Sequence, residues 1–391
     1  MATHARKNDF RQEETVSQHT QINMPAPMPE TGPVLTFFTG GSAMKQTSRA
    51  LKQWTHRSQH IVSPFDSGGS SAQLRKAFNM PAIGDLRSRL LALTDETFDG
   101  QSAAYQLLNY RLPKKAQQAS LQQELDAMIM AAHPLVRALP AHWQTPICHD
   151  LHVFNTRKPS DFDLKGASIG NLVLAGSYLE HQGSIGDVLT HVKSMVHLLG
   201  DVELASYEVM DLVARLDDGT QVVGQHRMTG KEHAPLSHKI EQIYLAKRGH
   251  AASCQASAEA LEAIRTSELI CYAPGSFYSS LIASLLPEGI CDQISITQCP
   301  KVFVPSTGYD PEAPNLSLYD RTLILMRYLS SAPTSEALNC VLFDPRHSPL
   351  TPKESEHLQQ LGVRLVAKEL TIGGHTTYHP ERLANALIQL V

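Results

Sequence analysis

A chain of 391 residues can bury a sizeable core, as one large or two ordinary domains. Charged side chains make up only 18% of it and the formal net charge is -4, so no global field points to nucleic acid or an anionic membrane as partner. No run approaches the roughly eighteen apolar residues of a membrane span, the N-terminus lacks a signal peptide's apolar stretch, and six scattered cysteines without a C-x-x-C pair read as reduced thiols of a cytoplasmic protein.

Residues 1–30 are polar, then rich in Met and Pro without a sustained period, and are expected to be a disordered arm. Residues 31–391 are expected to form one α/β domain. Val34 to Phe38 is a short apolar run of strand type that ends in Thr39-Gly40-Gly41-Ser42, and Ala43, Thr47, Ala50, Leu51 and Trp54 then recur at helical spacing. His60 to Phe65 predicts a second strand, which delivers Asp66 into a Ser67-Gly68-Gly69-Ser70-Ser71 turn. A helix carrying Arg75 follows, and Gly84-Asp85-Leu86-Arg87 opens another. In a parallel open sheet both Gly-rich turns emerge on the edge where ligands bind.

This mixture suits a phosphorylated ligand. Glycines let the backbone approach closely, amides at a helix start bind anionic oxygens, arginines clamp them, and an aspartate can hold a magnesium ion. Neither G-x-G-x-x-G nor the G-x-x-x-x-G-K-[ST] loop is present.

Further along, Ala116 to Met130 suggests a helix, whereas Pro134 to Pro159 is punctuated by prolines and reads as an excursion. Val209 to Leu216 and Thr220 to His226, joined by Asp217-Asp218-Gly219, predict a β-hairpin. Alternation returns with a helix over 256–265, a strand over 269–273, a turn at Pro274-Gly275-Ser276 and a helix from Tyr278. Strands at 302–304, 340–343 and 363–366 then alternate with helices at 316–329, 352–361 and 380–390. The fold class expected is α/β: a doubly wound, mostly parallel Rossmann-like sheet with helices on both faces and a β-hairpin insertion.

Each feature also has a structural reading. Gly40-Gly41 serves any tight turn, Asp66 and Asn171 suit helix caps, and arginines such as Arg75 and Arg87 usually sit solvated on helices. Ser276 on a strand-turn-helix invites comparison with a nucleophile elbow, but P-G-S-F-Y is not G-x-S-x-G and no histidine can be assigned as its base. Cys148-His149-Asp150-x-His152 and His375 to His379 have ligand-like spacing in what read as polar loops, without the donor set of a closed zinc site.

Taken in order, the motifs resemble the CofD-like superfamily, which includes 2-phospho-L-lactate transferases and YvcK-type proteins. The resemblance rests on Gly40-Gly41, D-S-G-G-S-S-x-x-L-R from Asp66, P-x-x-G-D-L-R from Pro81, and L-x-A-L at Leu90 to Leu93. Asn109 to Leu112 is similar to the family's Q-Y-R-F, Gly166 to Leu174 to its G-H-S-x-G-N-L, and Ala273 to Ser279 to its G-P-G-S-x-Y-T-S. It covers roughly residues 33–310, with 311–391 as a C-terminal extension of the same domain.

The resemblance implies a ligand or phosphate cradle of Gly40, Gly41, Ser42, Gly68, Gly69, Ser70, Ser71, Arg75, Gly84, Asp85, Arg87, Gly170, Asn171, Pro274, Gly275 and Ser276. Asp66 is implied as the catalytic residue and the ligand of Mg2+. The partner implied is a nucleoside diphosphate conjugate or nucleotide-sugar, with no nucleic acid and no membrane, and a homodimer is compatible with it. The transferases move a phosphorylated three-carbon acid from a guanosine diphosphate-linked donor to a deazaflavin hydroxyl with magnesium. YvcK-type proteins bind nucleotide-sugars and act in control of carbon metabolism and cell-wall supply; the wording D-x-G-G-S-S and G-D-L-R is closer to theirs. Two departures stand out: Ala167 replaces the histidine of G-H-S-x-G-N, and Val304 to Tyr309 replaces the YvcK-type N-L-M-T-Q-P-G-E-T.

Overall fold

The computed structural model describes residues 28–97, 101–229, 236–329, 334–373 and 375–391. The arm expected over residues 1–30 lies almost wholly outside them.

Among the described residues, eleven strands form two sheets. The main sheet contains β1 (Leu35–Phe38), β2 (Ser58–Val62), β3 (Asp201–Leu204), β8 (Leu269–Tyr272), β9 (Lys301–Phe303), β10 (Cys340–Phe343) and β11 (Arg364–Ala367). They lie in the order β11-β10-β9-β8-β1-β2-β3, and every pairing is parallel. The second sheet is antiparallel, with β4 (Asp211–Leu216), β5 (Gln221–Val223), β6 (Ile240–Lys247) and β7 (His250–Ala251) in the order β5-β4-β6-β7.

The central strands β1, β8, β9 and β10 are buried on both faces, as a covered parallel sheet requires, while the edge strand β11 is partly exposed. On β1, Leu35 and Phe37 point into a core with Leu51, Leu383 and Leu387, while Phe38 points the other way, toward Tyr272 and Phe277. The expected doubly wound sheet is therefore what forms. The hairpin with its Asp-Gly turn forms too, but as part of four strands. β6 escaped the sequence reading, as did β3, whose Asp201 and Glu203 carry charge into a strand.

The largest correction concerns 134–159. Instead of an irregular excursion, Ala141–Arg157 is a 17-residue helix that runs through Pro146. Pro146 is six residues in, and burial of Trp143, Ile147, Leu151 and Phe154 along one face outweighs its missing amide. All six cysteines are free, and no helix among the described residues is long and apolar enough to cross a membrane.

Candidate functional site: the crevice at the carboxyl edge of the main sheet

From β1 the chain builds outward to β2 and β3, then returns to β1's other side with β8 and continues to β11. The loops after β1 and β8 thus diverge at a topological switch point, where open α/β sheets leave a crevice. Thr39 to Ser42 forms one wall and Ala273 to Ser276 the other. A side chain on Gly275 would begin 3.9 Å from the Gly40 amide, and one on Gly40 would meet the Ser280 hydroxyl at 2.7 Å.

Asp85, second residue of the helix Gly84–Leu93, lays its carboxylate directly against Gly41, so any Cβ at Gly41 would overlap it. The same helix fixes this loop from behind. Ser88 Oγ and Arg89 Nη2 both donate to the Gly41 carbonyl, at 2.5 and 2.6 Å, and Arg89 Nη1 reaches Ser48 Oγ at 3.0 Å. Arg89 is fully buried, and burial pulls its guanidinium down to about 10. The sequence reading missed Ser88, Arg89 and Ser280; an arginine on the apolar face of a helix was the available signal.

Asp66 follows β2 at the same edge. Its Oδ1 accepts from the Gly68 amide at 2.9 Å, forming an Asx turn, while its Oδ2 lies 3.6 Å from the place of a Cβ on Gly84. Gly68, not Asp66, is the N-cap of the helix Gly69–Phe78, and Gly69 takes a left-handed φ of 47°. Ser71 turns its hydroxyl toward Gly84 (2.7 Å to a Cβ there), and Ser70 Oγ accepts from the Ser168 amide at 3.5 Å. Asp66 and Ser71 therefore meet at Gly84, and the adjacent Asp85 meets Gly41 at the same edge. Two carboxylates and a hydroxyl are hard oxygen donors, a set that fits magnesium.

Four predicted residues sit deeper. Arg75 donates to the carbonyls of Phe65 and Asp66 (3.3 and 3.1 Å) and, across to the second sheet, to Met210 O and Asp211 Oδ1 (2.6 and 3.2 Å). These bonds brace the Asp66 loop from within the fold. Arg87 donates through Nε to Asn171 Oδ1 at 2.8 Å and through Nη1 to Leu108 O at 3.2 Å. Burial, then the nearby Arg111 charge, lowers its guanidinium to about 10. Ser168 rather than Asn171 holds the N-cap position of the helix Ile169–Glu180, without a side-chain cap bond, and Gly170 and Asn171 are buried within the helix.

The wall after β8 is occupied differently. The Phe277 amide donates to Asp310 (2.8 Å), those of Tyr278 and Ser279 donate to Glu312 (3.2 and 2.8 Å), and the Gly275 amide bonds Ser306 Oγ (2.8 Å). Two carboxylates of this chain already hold the amides that open the π-helical turn Phe277–Ile282. Pro274, Gly275 and Ser276 shape the crevice, but the amides behind them face acids. No bond from Ser276 to a histidine exists among the described residues.

The histidine motifs are elsewhere. Cys148 to His152 lies on the helix Ala141–Arg157, not in a polar loop, with Asp150 buried against His191 (3.3 Å) and His149 beside Glu180 (3.8 Å). His375 follows residue 374, which lies outside the described residues. Among the described residues, the group that gathers three metal-type ligands is Asp217, Asp218 and His238, all exposed.

The family model described as "2-phospho-L-lactate transferase CofD" matches residues 35–371. The chain belongs to the CofD family. Two relatives show its neighbourhood within that family. A protein of Aquifex aeolicus named "Putative gluconeogenesis factor" is 23% identical over 369 residues, covering 90% of this chain and 94% of its own. A "Gluconeogenesis factor" of Halalkalibacterium halodurans is 27% identical over 267 residues, covering 68% and 64%. A crystal structure of a Bacillus halodurans protein superposes with a TM-score of 0.65 at 21% identity, over 91% of this chain and 99% of that one. Another, described as a upf0052 family member from the same organism, gives 0.64 at 22%, over 90% and 98%. The CofD-like fold and the YvcK-like neighbourhood thus agree with the sequence motifs.

Proposed function

We propose that this chain binds a nucleoside diphosphate conjugate in the crevice between the loops after β1 and β8, with magnesium held between the diphosphate and Asp66. The observation that carries this reading is the convergence of Gly40-Gly41, Asp66, Ser71, Gly84 and Asp85 at the switch point of a parallel sheet. Asp66 and Asp85 would hold the metal, which would neutralise phosphate charge. The residues that fix the loops, Ser88, Arg89 and Arg75, would keep the cradle rigid at the moment of binding.

Family membership supports a group transfer. An acceptor hydroxyl oxygen would form a bond to the distal phosphorus of the diphosphate as the bond to the nucleoside monophosphate oxygen breaks. The hydroxyl proton would pass to a base and the monophosphate would leave. The relatives' names favour a second reading, a binder that controls carbon metabolism without turnover. Incubation with magnesium, guanosine and uridine diphosphate conjugates and a cell extract separates them. Released nucleoside monophosphate supports transfer; an intact nucleotide recovered by native mass spectrometry supports the binder. If neither nucleotide binds, with or without magnesium, the proposal fails.

A further inference from the structure

Beyond Asp66 the surface opens into a second cleft of about 440 Å3, bordered by Ser67, Gly69 and Ser70 on one side and by Arg111, Lys114 and Lys165 on another. We propose that this cleft is a subsite for a phosphate-type dianion, held by Arg111, Lys114, Lys165 and the start of the helix Gly69–Phe78. The proposal deepens the nucleotide reading and rests on it only for the source of the anion.

The three cations come from two separate segments, 111–114 and the loop around Lys165, which the Arg111–Ser168 bridge joins. They are anchored. Arg111 Nη1 donates to the Gly166 carbonyl at 3.3 Å, and the Lys114 stem packs over Gly166, where a Cβ would meet Lys114 Cγ at 3.0 Å. Among the described residues, none of the three enters an ion pair. Asp163, two residues before Lys165, turns its carboxylate back to the Lys165 amide at 3.0 Å. The Arg111 charge is felt as far as Arg87, whose guanidinium it helps to depress. Like charges gathered without a counter-ion repel, and a bound anion relieves that repulsion.

One feature on the opposite side favours an anion as well. The ten-residue helix Gly69–Phe78 begins there, with the Ser70 hydroxyl beside its positive end. The Ser168 amide, behind the Ala167 wall, donates to Ser70 and so ties the two sides of the cleft together. The cations offer donors only, and among the described residues no carboxylate lines the cleft to receive the hydroxyl protons of a neutral sugar. A phosphate ester, acceptor-rich and doubly charged, meets that set. It would be either the group carried by the conjugate in the adjoining crevice or a free phosphorylated molecule.

The test is thermal unfolding of the full chain in inorganic phosphate against sodium chloride of equal ionic strength. Phosphate should raise the melting temperature saturably, through binding to the native state alone. The double variant Lys114→Ala/Lys165→Ala should weaken the apparent Kd at least tenfold, Lys114→Arg/Lys165→Arg should stay within about threefold, and Lys115→Ala, outside the cleft, should match the wild type. Both lysines are exposed, so the variants keep the fold. Phosphate binding that persists both in saturating uridine or guanosine diphosphate with magnesium and in a conjugate bearing an acidic group assigns the cleft to a free phosphorylated molecule. Phosphate binding that persists in those nucleotides but is displaced by a conjugate bearing an acidic group assigns it to the carried group. The proposal is overturned if phosphate acts no differently from chloride, if the double variant responds like the wild type, or if the bare diphosphate nucleotide abolishes phosphate binding. Nucleotide binding by Asp66→Asn is measured separately, so either idea can fail alone.

Discussion

Asp66 divides its two oxygens between two tasks: Oδ1 holds the Gly68 amide, and Oδ2 faces Gly84. Asp66→Asn keeps a carbonyl for the first task and removes the charge from the second. In magnesium, the variant should bind a nucleoside diphosphate at least tenfold more weakly, and in chelator equally well. Unfolding stability should fall by about 1 kcal/mol or less, the scale of a weakened local hydrogen bond. Equal weakening in both conditions would show that Asp66 acts through the turn and not through a metal. Arg87 requires a different caution. Its guanidinium serves Asn171 and the Leu108 carbonyl, so Arg87→Ala leaves buried acceptors unpaired at about 1–3 kcal/mol, and a binding defect there would mix structure with ligand contact. The G-D-L-R motif disclosed that Arg87 matters; it could not disclose how many of its donors the fold consumes.

At the scale of elements, the turn Phe277–Ile282 shows a helix start capped from outside by acids. Glu312 accepts from the Tyr278 and Ser279 amides and the Ser279 hydroxyl, and burial followed by the Asp310 charge pushes its carboxyl up to about 7. A carboxyl raised in the folded state binds more protons there than in the unfolded chain. Its contribution to stability therefore declines as pH rises from near 4.5 through about 7. Glu312→Gln imitates the protonated form, so its stability relative to the wild type should improve across that window and level off above it. Urea midpoints at pH 5, 6, 7 and 8 check this, and a flat difference would mean Glu312 titrates normally. Such capping was invisible in the sequence, because Asp310 and Glu312 are more than thirty residues from the amides they hold. What could be read were the apolar strands with Gly-rich ends, whose period and punctuation are local. β3 was lost because Lys193 neutralises its Asp201 and Glu203 only in the folded chain. The helix Ala141–Arg157 was lost because tertiary burial overrode the local signal of Pro146 and of the prolines that flank the helix.

At the scale of the molecule, the last helix stabilises the first loop of the site. Pro380–Ile388 packs on the helix Lys45–Leu51, and Leu383, Ala384 and Leu387 share a buried cluster with Met44 and Leu51. Met44 and Lys45 follow Ser42 almost directly, so whatever loosens that helix loosens Gly40 and Gly41. Tyr378 adds a second tie, donating to the Pro305 carbonyl at 2.6 Å beyond β9. Deleting residues 380–391 would strip two fully buried leucines, each contributing about 1.5–3 kcal/mol, from a native state whose whole margin is typically about 5–15 kcal/mol. The truncated chain should therefore unfold at a much lower urea concentration, by roughly 3–6 kcal/mol. A milder probe separates stability from binding. Leu387→Ala should cost about 2–5 kcal/mol and leave the crevice residues in place, so a nucleoside diphosphate should still raise its melting temperature. If that rise vanishes while the variant remains folded by circular dichroism, the C-terminal helix is coupled to the geometry of the Gly40-Gly41 loop. If instead Leu387→Ala changes neither stability nor binding, the packing of the last helix against the first contributes little to the native state.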